Sequence, residues 1–186
     1  MWKLFGVGFL LLATACGAPE TEVEDDGGGS PVSLPDLEGM YEVSYHTLAR
    51  SISAASPVDC SVEGEAIAEP THFQMVPGFI DGYDMEDCSS SDPESCTFTF
   101  WSFDEGSADG WRGTNASTQT GGGTECNLYY DETEAIVQAD GSLRIVLKEW
   151  ASYNEVTAEE CTLEAAEALG EESHCMRYEV ISGIAY

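Results

Sequence analysis

Asp140-Gly141-Ser142-Leu143-Arg144-Ile145-Val146-Leu147-Lys148 is the stretch that decides the fold class. Leu143, Ile145 and Leu147 alternate with Arg144 and Lys148, the period-two pattern of a strand with one apolar face. Asp140-Gly141 stands between this run and the candidate strand 133–138, and such a dipeptide reads as a hairpin turn because both residues tolerate positive φ. The same alternation recurs outward from there. Tyr41, Val43 and Tyr45 alternate with Glu42 and Ser44; Met176, Tyr178 and Val180 alternate with Arg177 and Glu179. Residues 72–80, 96–103, 110–118 and 125–131 are further strand candidates. The expected class is mainly all-β: an antiparallel barrel or sandwich of about eight strands with one helix before the last. That helix is expected from Thr157 to Leu169, with Thr157-Ala158-Glu159-Glu160 as a capping box and Gly170 as the terminating glycine.

The N-terminus reads as an address. Residues 1–15 hold Lys3, an uncharged apolar run over 4–12, and Ala13-Thr14-Ala15, the layout of a secretory signal peptide. The run falls short of the about twenty residues that a membrane-spanning helix needs. Ala13-Thr14-Ala15-Cys16 resembles the lipobox of bacterial lipoproteins, with Ala13 where that family usually carries Leu. The resemblance implies cleavage before Cys16 and lipidation of its thiol. Gly17 in place of an inner-membrane retention Asp implies an outer-membrane location. Residues 16–38 then form the anchor and an acidic tether rich in Gly and Pro, too poor in apolar residues to fold by itself. Residues 39–186 form the folded domain.

Cysteine count supports export. Of seven cysteines, setting aside Cys16 leaves Cys60, Cys88, Cys96, Cys126, Cys161 and Cys175, an even set that reads as three disulfides in an oxidising compartment. Cys161 on the expected helix and Cys175 on the last strand suggest one bridge. Cys88 and Cys96 flank a turn segment and suggest a second, leaving Cys60 with Cys126. Six cysteines allow fifteen pairings, so this assignment is one choice among them.

Gly39-Met40-Tyr41 is similar to the Gly-x-Trp opening of lipocalins, with Tyr for Trp. Leu37-Glu38-Gly39-Met40-Tyr41, the cysteine spacing and Cys175-Met176-Arg177-Tyr178-Glu179-Val180 together resemble uncharacterised cysteine-paired lipoproteins of gliding bacteria, a likeness that implies no activity.

Charge bounds the partners. The chain has 35 acidic and 6 basic residues, a formal charge of −29, which becomes −30 once Lys3 leaves with the leader. Phosphate binding needs Lys and Arg, so nucleic acid is excluded as a partner. Contact with the membrane is expected through the lipid alone, and the domain's own partner is expected to be a protein or small-molecule ligand.

Catalytic signatures are scarce. The chain has no Gly-x-Ser-x-Gly elbow, His-Glu-x-x-His helix or phosphate loop. Carboxylates are so many that a two-carboxylate hydrolase can be nominated but not located. His46, His72 and His174 are too far apart in sequence for a local metal pair, and His46 is expected on the polar face of the first strand. The stretch Asp81-Gly82-Tyr83-Asp84-Met85-Glu86-Asp87 offers Asp81, Asp84, Glu86 and Asp87 as oxygen ligands for calcium if it is a loop; no other cofactor is expected. Trp101, Trp111 and Trp150, with Phe98, Phe100, Tyr129 and Tyr130, either line a cavity or fill the core.

The functional expectation is therefore an exported, lipid-anchored protein with a non-enzymatic binding domain. The alternatives are an extracytoplasmic hydrolase with a carboxylate-based site and a calcium-binding surface protein. Replacing the anchor residue, Cys16→Ser, is expected to move the protein from the membrane to the soluble envelope fraction. Membrane partitioning unchanged by that substitution would reject the lipid anchor.

Overall fold

Period-two patterning gives every long strand an apolar inner face, and a single sheet satisfies these faces by curling around them, while the last three strands of the chain carry further apolar residues outward beneath the helices. The computed structural model describes residues 33–186 except 52–55, 80, 121–125, 158, 173 and 174. The leader, Cys16 and His174 lie outside the described residues, as does the tether up to residue 32. Ten strands form one antiparallel sheet. They are β1 (Gly39–Arg50), β2 (Glu65–Ala66), β3 (His72–Pro77), β4 (Tyr83–Cys88), β5 (Cys96–Phe103), β6 (Glu105–Ser107), β7 (Gly110–Thr120), β8 (Cys126–Val137), β9 (Leu143–Val156) and β10 (Cys175–Ala185). Their order across the sheet is β5-β4-β3-β1-β10-β9-β8-β7-β6, with β2 on β1.

The all-β class holds, but the architecture is neither a two-sheet sandwich nor a closed barrel. One cluster joins Tyr41 of β1, Phe73 and Met75 of β3, Met85 of β4, Phe103 of β5, Ala135 of β8, Leu143, Ile145 and Leu147 of β9, and Ile181 of β10. Residues from both ends of the sheet meet in that cluster only because the sheet coils strongly, as the twist of strands permits. Its two arms meet where the Thr133 hydroxyl of β8 donates to the Ser102 carbonyl of β5 at 2.7 Å and where the Tyr83 ring of β4 lies edge-on to the Trp111 ring of β7 at 5.2 Å. Gly113 of β7 lies against the same carbonyl, which a Cβ at that position would strike. Among the described residues no ladder pairs β5 with β6 or β7.

Strand count and length also differ from expectation. The acidic stretch taken as a loop is strand β4, because Tyr83 and Met85 alternate inward along it. The two candidates 125–131 and 133–138 merge into β8. The Asp140-Gly141 hairpin between β8 and β9 is present, with Gly141 at φ 85° and the Asp140 carboxylate accepting from the Ser142 amide. Leu37, placed in the tether by composition, is fully buried under the sheet. The hydroxyl of Tyr41 and the indole of Trp111 donate to the carbonyls of Leu37 and Pro35. The compact unit accordingly runs from Val32 to Tyr186.

The helix precedes the last strand as expected but starts later and is broken in two: α1 (Leu163–Glu167) and α2 (Leu169–Glu172). Strand β9 runs on to Val156, so Thr157 and Glu160 bond to each other in the turn that leaves it. Thr162 takes the capping role, its hydroxyl accepting from the Ala165 amide at 3.2 Å. Gly170 is a packing residue, since a Cβ there would press on the Tyr130 ring at 2.8 Å.

That shift explains two corrected disulfides. Cys88 bridges Cys96 across β4 and β5, but the others are Cys60–Cys175 and Cys126–Cys161, not Cys161–Cys175 and Cys60–Cys126. Cys161 precedes α1 and joins the cluster that α1 forms over the outer face of the sheet, where Cys126 is buried. Cys175 opens β10 beside Val58, whose amide donates to its carbonyl, and this brings Cys60 alongside. Bridges spanning 115 and 35 residues constrain the unfolded chain by about 4–5 kcal/mol each on the chain-entropy model.

Candidate functional site

Register builds the site. Along the inner face, side chains of neighbouring strands line up in rows that change from apolar to charged. The first row is Trp111, Ala135, Ile145 and Ile181; the second is Gly113, Thr133, Leu147 and Glu179. The third is Asn115, Asp131, Glu149 and Arg177. Pleating alone sends alternate residues inward, so each strand that begins this face with Leu or Ile ends it with a charge. Fully buried Phe73, Met75, Met85 and Phe103 help fill the apolar half.

Glu179 is the hub of the charged half. His46 Nε2 lies 2.6 Å from its Oε1, and the Arg177 Nε–H donates to its Oε2 at 2.7 Å. Arg177 Nη2 pairs with the same oxygen. The side chains of His46 and Glu179 are 2% and 5% exposed, so both are inside the protein. Burial works against the charged form of Glu179, but the hydrogen bond from His46 and the charge of Arg177 outweigh it and hold its pKa below the ordinary value. The guanidinium of Arg177 also sits over the Trp101 ring, 5.1 Å from its centroid, in cation–π range.

Two other carboxylates share this interior with no such partner. Burial raises Asp131 to about 6, helped by the charge of Glu149 opposite it and opposed by the Asn115 amide and Arg177. Burial likewise raises Asp87 of β4, with Glu179 adding to it and His46 and Arg177 opposing. The Asn115 amide is 3.4 Å from Asp131, a weak contact for a buried charge.

The space beside them is a recess of about 260 Å³ lined by Thr99 and Trp101 of β5, Asn115 and Ser117 of β7, and Tyr129, Asp131, Glu149 and Arg177. A second recess of about 260 Å³ adjoins it toward Phe98, Ser102 and Asp104, sharing Trp101, Asn115 and Asp131. Together they form a cleft between β5 and β7, shut at the Ser102–Thr133 contact. A larger hollow of about 390 Å³ on the outer face is floored by the ion pairs Arg112–Glu134 and Lys148–Glu132. Its charges are largely matched, unlike those of the cleft.

Most residues singled out by sequence fall elsewhere. The calcium candidates are not brought together: Asp87 points inward, Asp84 and Glu86 share the opposite face of β4, and Asp81 precedes the strand. Asp84 instead accepts from the Ser102 hydroxyl at 2.6 Å. Among the described residues no group of three or more His, Cys, Asp or Glu is placed to hold a metal. His46 is buried and not on the polar face, because the bulge between Val43 and Tyr45 reverses the alternation of β1. His72 lies edge-on to Tyr186 at 6.0 Å, away from His46. Of the aromatics, Trp101 and Tyr129 line the cleft, Trp111 packs on the apolar core, and Trp150 with Tyr130 lies under the helices.

Asp131, Glu149, Arg177 and Glu179 were missed as site residues, yet a signal existed. A three-residue turn over 139–141, with the Gln138 amide donating to the Ser142 carbonyl across it and Gly141 at positive φ, fixes the β8–β9 register, and that register pairs Asp131 with Glu149. No family model, curated protein or solved structure matches the chain.

The raised pKa of Asp131 has a thermodynamic consequence. Between pH 3.8 and about 6 the folded protein keeps a proton that the unfolded chain releases, so this group's effect on stability becomes less favourable as pH rises through that window. Asp131→Asn is expected to be more stable than wild type at pH 7.5 by about 1–2 kcal/mol, a full shift discounted for partial solvent access. The advantage should vanish by pH 4. Denaturant melts of both proteins at the two pH values check it, and an advantage independent of pH would contradict the assignment.

Proposed function

We propose that the chain is an exported, lipid-anchored envelope protein whose β-domain binds a polar ligand or a partner segment in the cleft between β5 and β7. The observation that carries this reading is the pair Asp131 and Glu149, held inside the sheet under the Trp101 wall with no cationic side chain bonded to either among the described residues. Among the described residues Arg177 is the cation of the recess, and its hydrogen bonds go to Glu179. Buried charge without a partner is costly, and a ligand that supplies one gains differential affinity for this site. Anchoring follows the lipobox reading of Cys16, with Gly17 favouring the outer membrane. The acidic surface favours solubility and cationic partners.

A carboxylate-based hydrolase is the second reading, favoured by one feature. Asp131, raised to about 6, keeps a proton beside the cross-strand Glu149, which is the relation of an acid to a base in two-carboxylate hydrolysis. That reading requires turnover that peaks below neutrality and is lost in both Asp131→Asn and Glu149→Gln.

Binding is tested by thermal melts at pH 7.5 with millimolar amines, amino acids, neutral sugars and dicarboxylates, on wild type and on Asp131→Asn/Glu149→Gln. A ligand at ~10 times its Kd adds about 1.4 kcal/mol, a shift of about 4 °C for a domain of this size. At least one class should shift wild type alone. Equal shifts in the two proteins, or none in either, would contradict a binding role for the cleft.

A further inference from the structure

We infer that the cleft receives an extended polypeptide segment of a partner protein, laid along the open edge of β5 with one Lys or Arg side chain inserted between Asp131 and Glu149. This rests on the proposed binding role of the cleft and names the occupant. Three observations favour it.

The first is an open edge. β5 is the last strand of the sheet on its side, and β7 is covered by β6 only over Gly110 to Arg112. Beyond Arg112, β7 and β5 face each other across the cleft without a ladder among the described residues. A strand edge presents alternate N–H and C=O groups outward, a template for strand addition.

The second is the composition of those edges. Cys96–Phe103 reads Cys-Thr-Phe-Thr-Phe-Trp-Ser-Phe, and residues 113–120 read Gly-Thr-Asn-Ala-Ser-Thr-Gln-Thr. Neither contains a charge or a proline, the usual guards of an exposed edge. The one guard present is a bulge in β5, where Trp101 pairs with Met85 and Phe98 with the adjacent Glu86. That bulge breaks the edge into short pieces, so the fit is to a few residues and not to a long strand. Two recesses of about 260 Å³ each have room for such a segment and not for a folded domain.

The third is charge complementarity. A segment lying on the edge turns alternate side chains toward the floor, and the floor offers Asp131 and Glu149 between the Trp101 and Tyr129 rings. A cationic side chain satisfies both carboxylates and gains ring contact. A second copy of this chain is disfavoured as the occupant, because each copy carries a formal charge of −29 and lacks Lys and Arg in β5.

Calorimetry on the purified full chain tests the inference with acetyl-Thr-Lys-Thr-Val-amide and three controls. The controls are the same peptide with Glu for Lys, the same peptide N-methylated at alternate amides, and N-acetyl-lysine amide. The Lys peptide should bind at least tenfold more tightly than each control, and Asp131→Asn/Glu149→Gln should weaken it at least tenfold. Equal binding of the methylated peptide or of N-acetyl-lysine amide would overturn strand addition while leaving the cleft a ligand site. Equal binding of the Glu peptide would overturn the role of the two carboxylates. Failure of the Lys peptide to bind would overturn the inference, and only failure of the melt panel as well would take the proposed function with it. Sedimentation showing a dimer that Thr97→Lys/Thr114→Lys, at exposed positions of the two edges, dissolves would also overturn it, in favour of a second copy on this edge.

Discussion

The pairing of the first long strand with the last constrains everything else in this molecule. β1 and β10 lie side by side over nine register pairs, from Tyr41 with Ala185 to Arg50 with Arg177. With β1 and β10 at the middle, the hairpin series β3-β4-β5 must grow one way and β9-β8-β7 the other. Coiling then brings the two outer arms around to each other. In the apolar rows that approach is driven by burial at about 25 cal/mol per Å². One row further along, the same movement would dry Asp131 and Asp87, which are already pushed toward their protonated forms by burial, and would enclose Glu149 beside Asp131. Closure therefore stops at the Ser102–Thr133 contact, and the cleft is what remains.

Glu179 occupies the boundary between the two regimes. Its bond to His46 ties β1 to β10 from inside, alongside the backbone ladder, while its bond to Arg177 stays within β10. Such a group is poor evidence for net stability, because its desolvation offsets much of the attraction. What it does secure is position. Arg177 is held against Trp101 by the carboxylate behind it, so its hydrogen bonds go to Glu179 and it offsets Asp131 only through space. One buried acid thus leaves two others unmatched, and that gives the recess its character.

Alternation, the Asp140-Gly141 turn and the cysteine count carried the fold class, because each is a local property of the chain. Strand β4 was hidden since its acidic residues sit on the strand's outer face and its inward Asp87 mimics a loop composition. His46 was misplaced by a single bulge at Ser44, which no periodicity reveals, because one extra residue inverts every later side chain. The disulfides depended on which of two threonines caps the helix, a choice decided by how far β9 extends. The charged row was the least legible feature. Arg177 and Glu179 read as the solvent face of an alternating strand, and only the helices covering the opposite face turn them inward.

The central claim is that the sheet is open between β5 and β7, and amide hydrogen exchange on the purified protein measures it directly. The account predicts slow exchange through the β1, β8, β9 and β10 ladders, where both sides of each strand are paired. Outward amides of β5, and of β7 beyond Arg112, should exchange orders of magnitude faster, apart from those near the Ser102–Thr133 contact. Protection of the β5 and β7 edges equal to that of β9 would show a closed barrel with no cleft and would contradict the account.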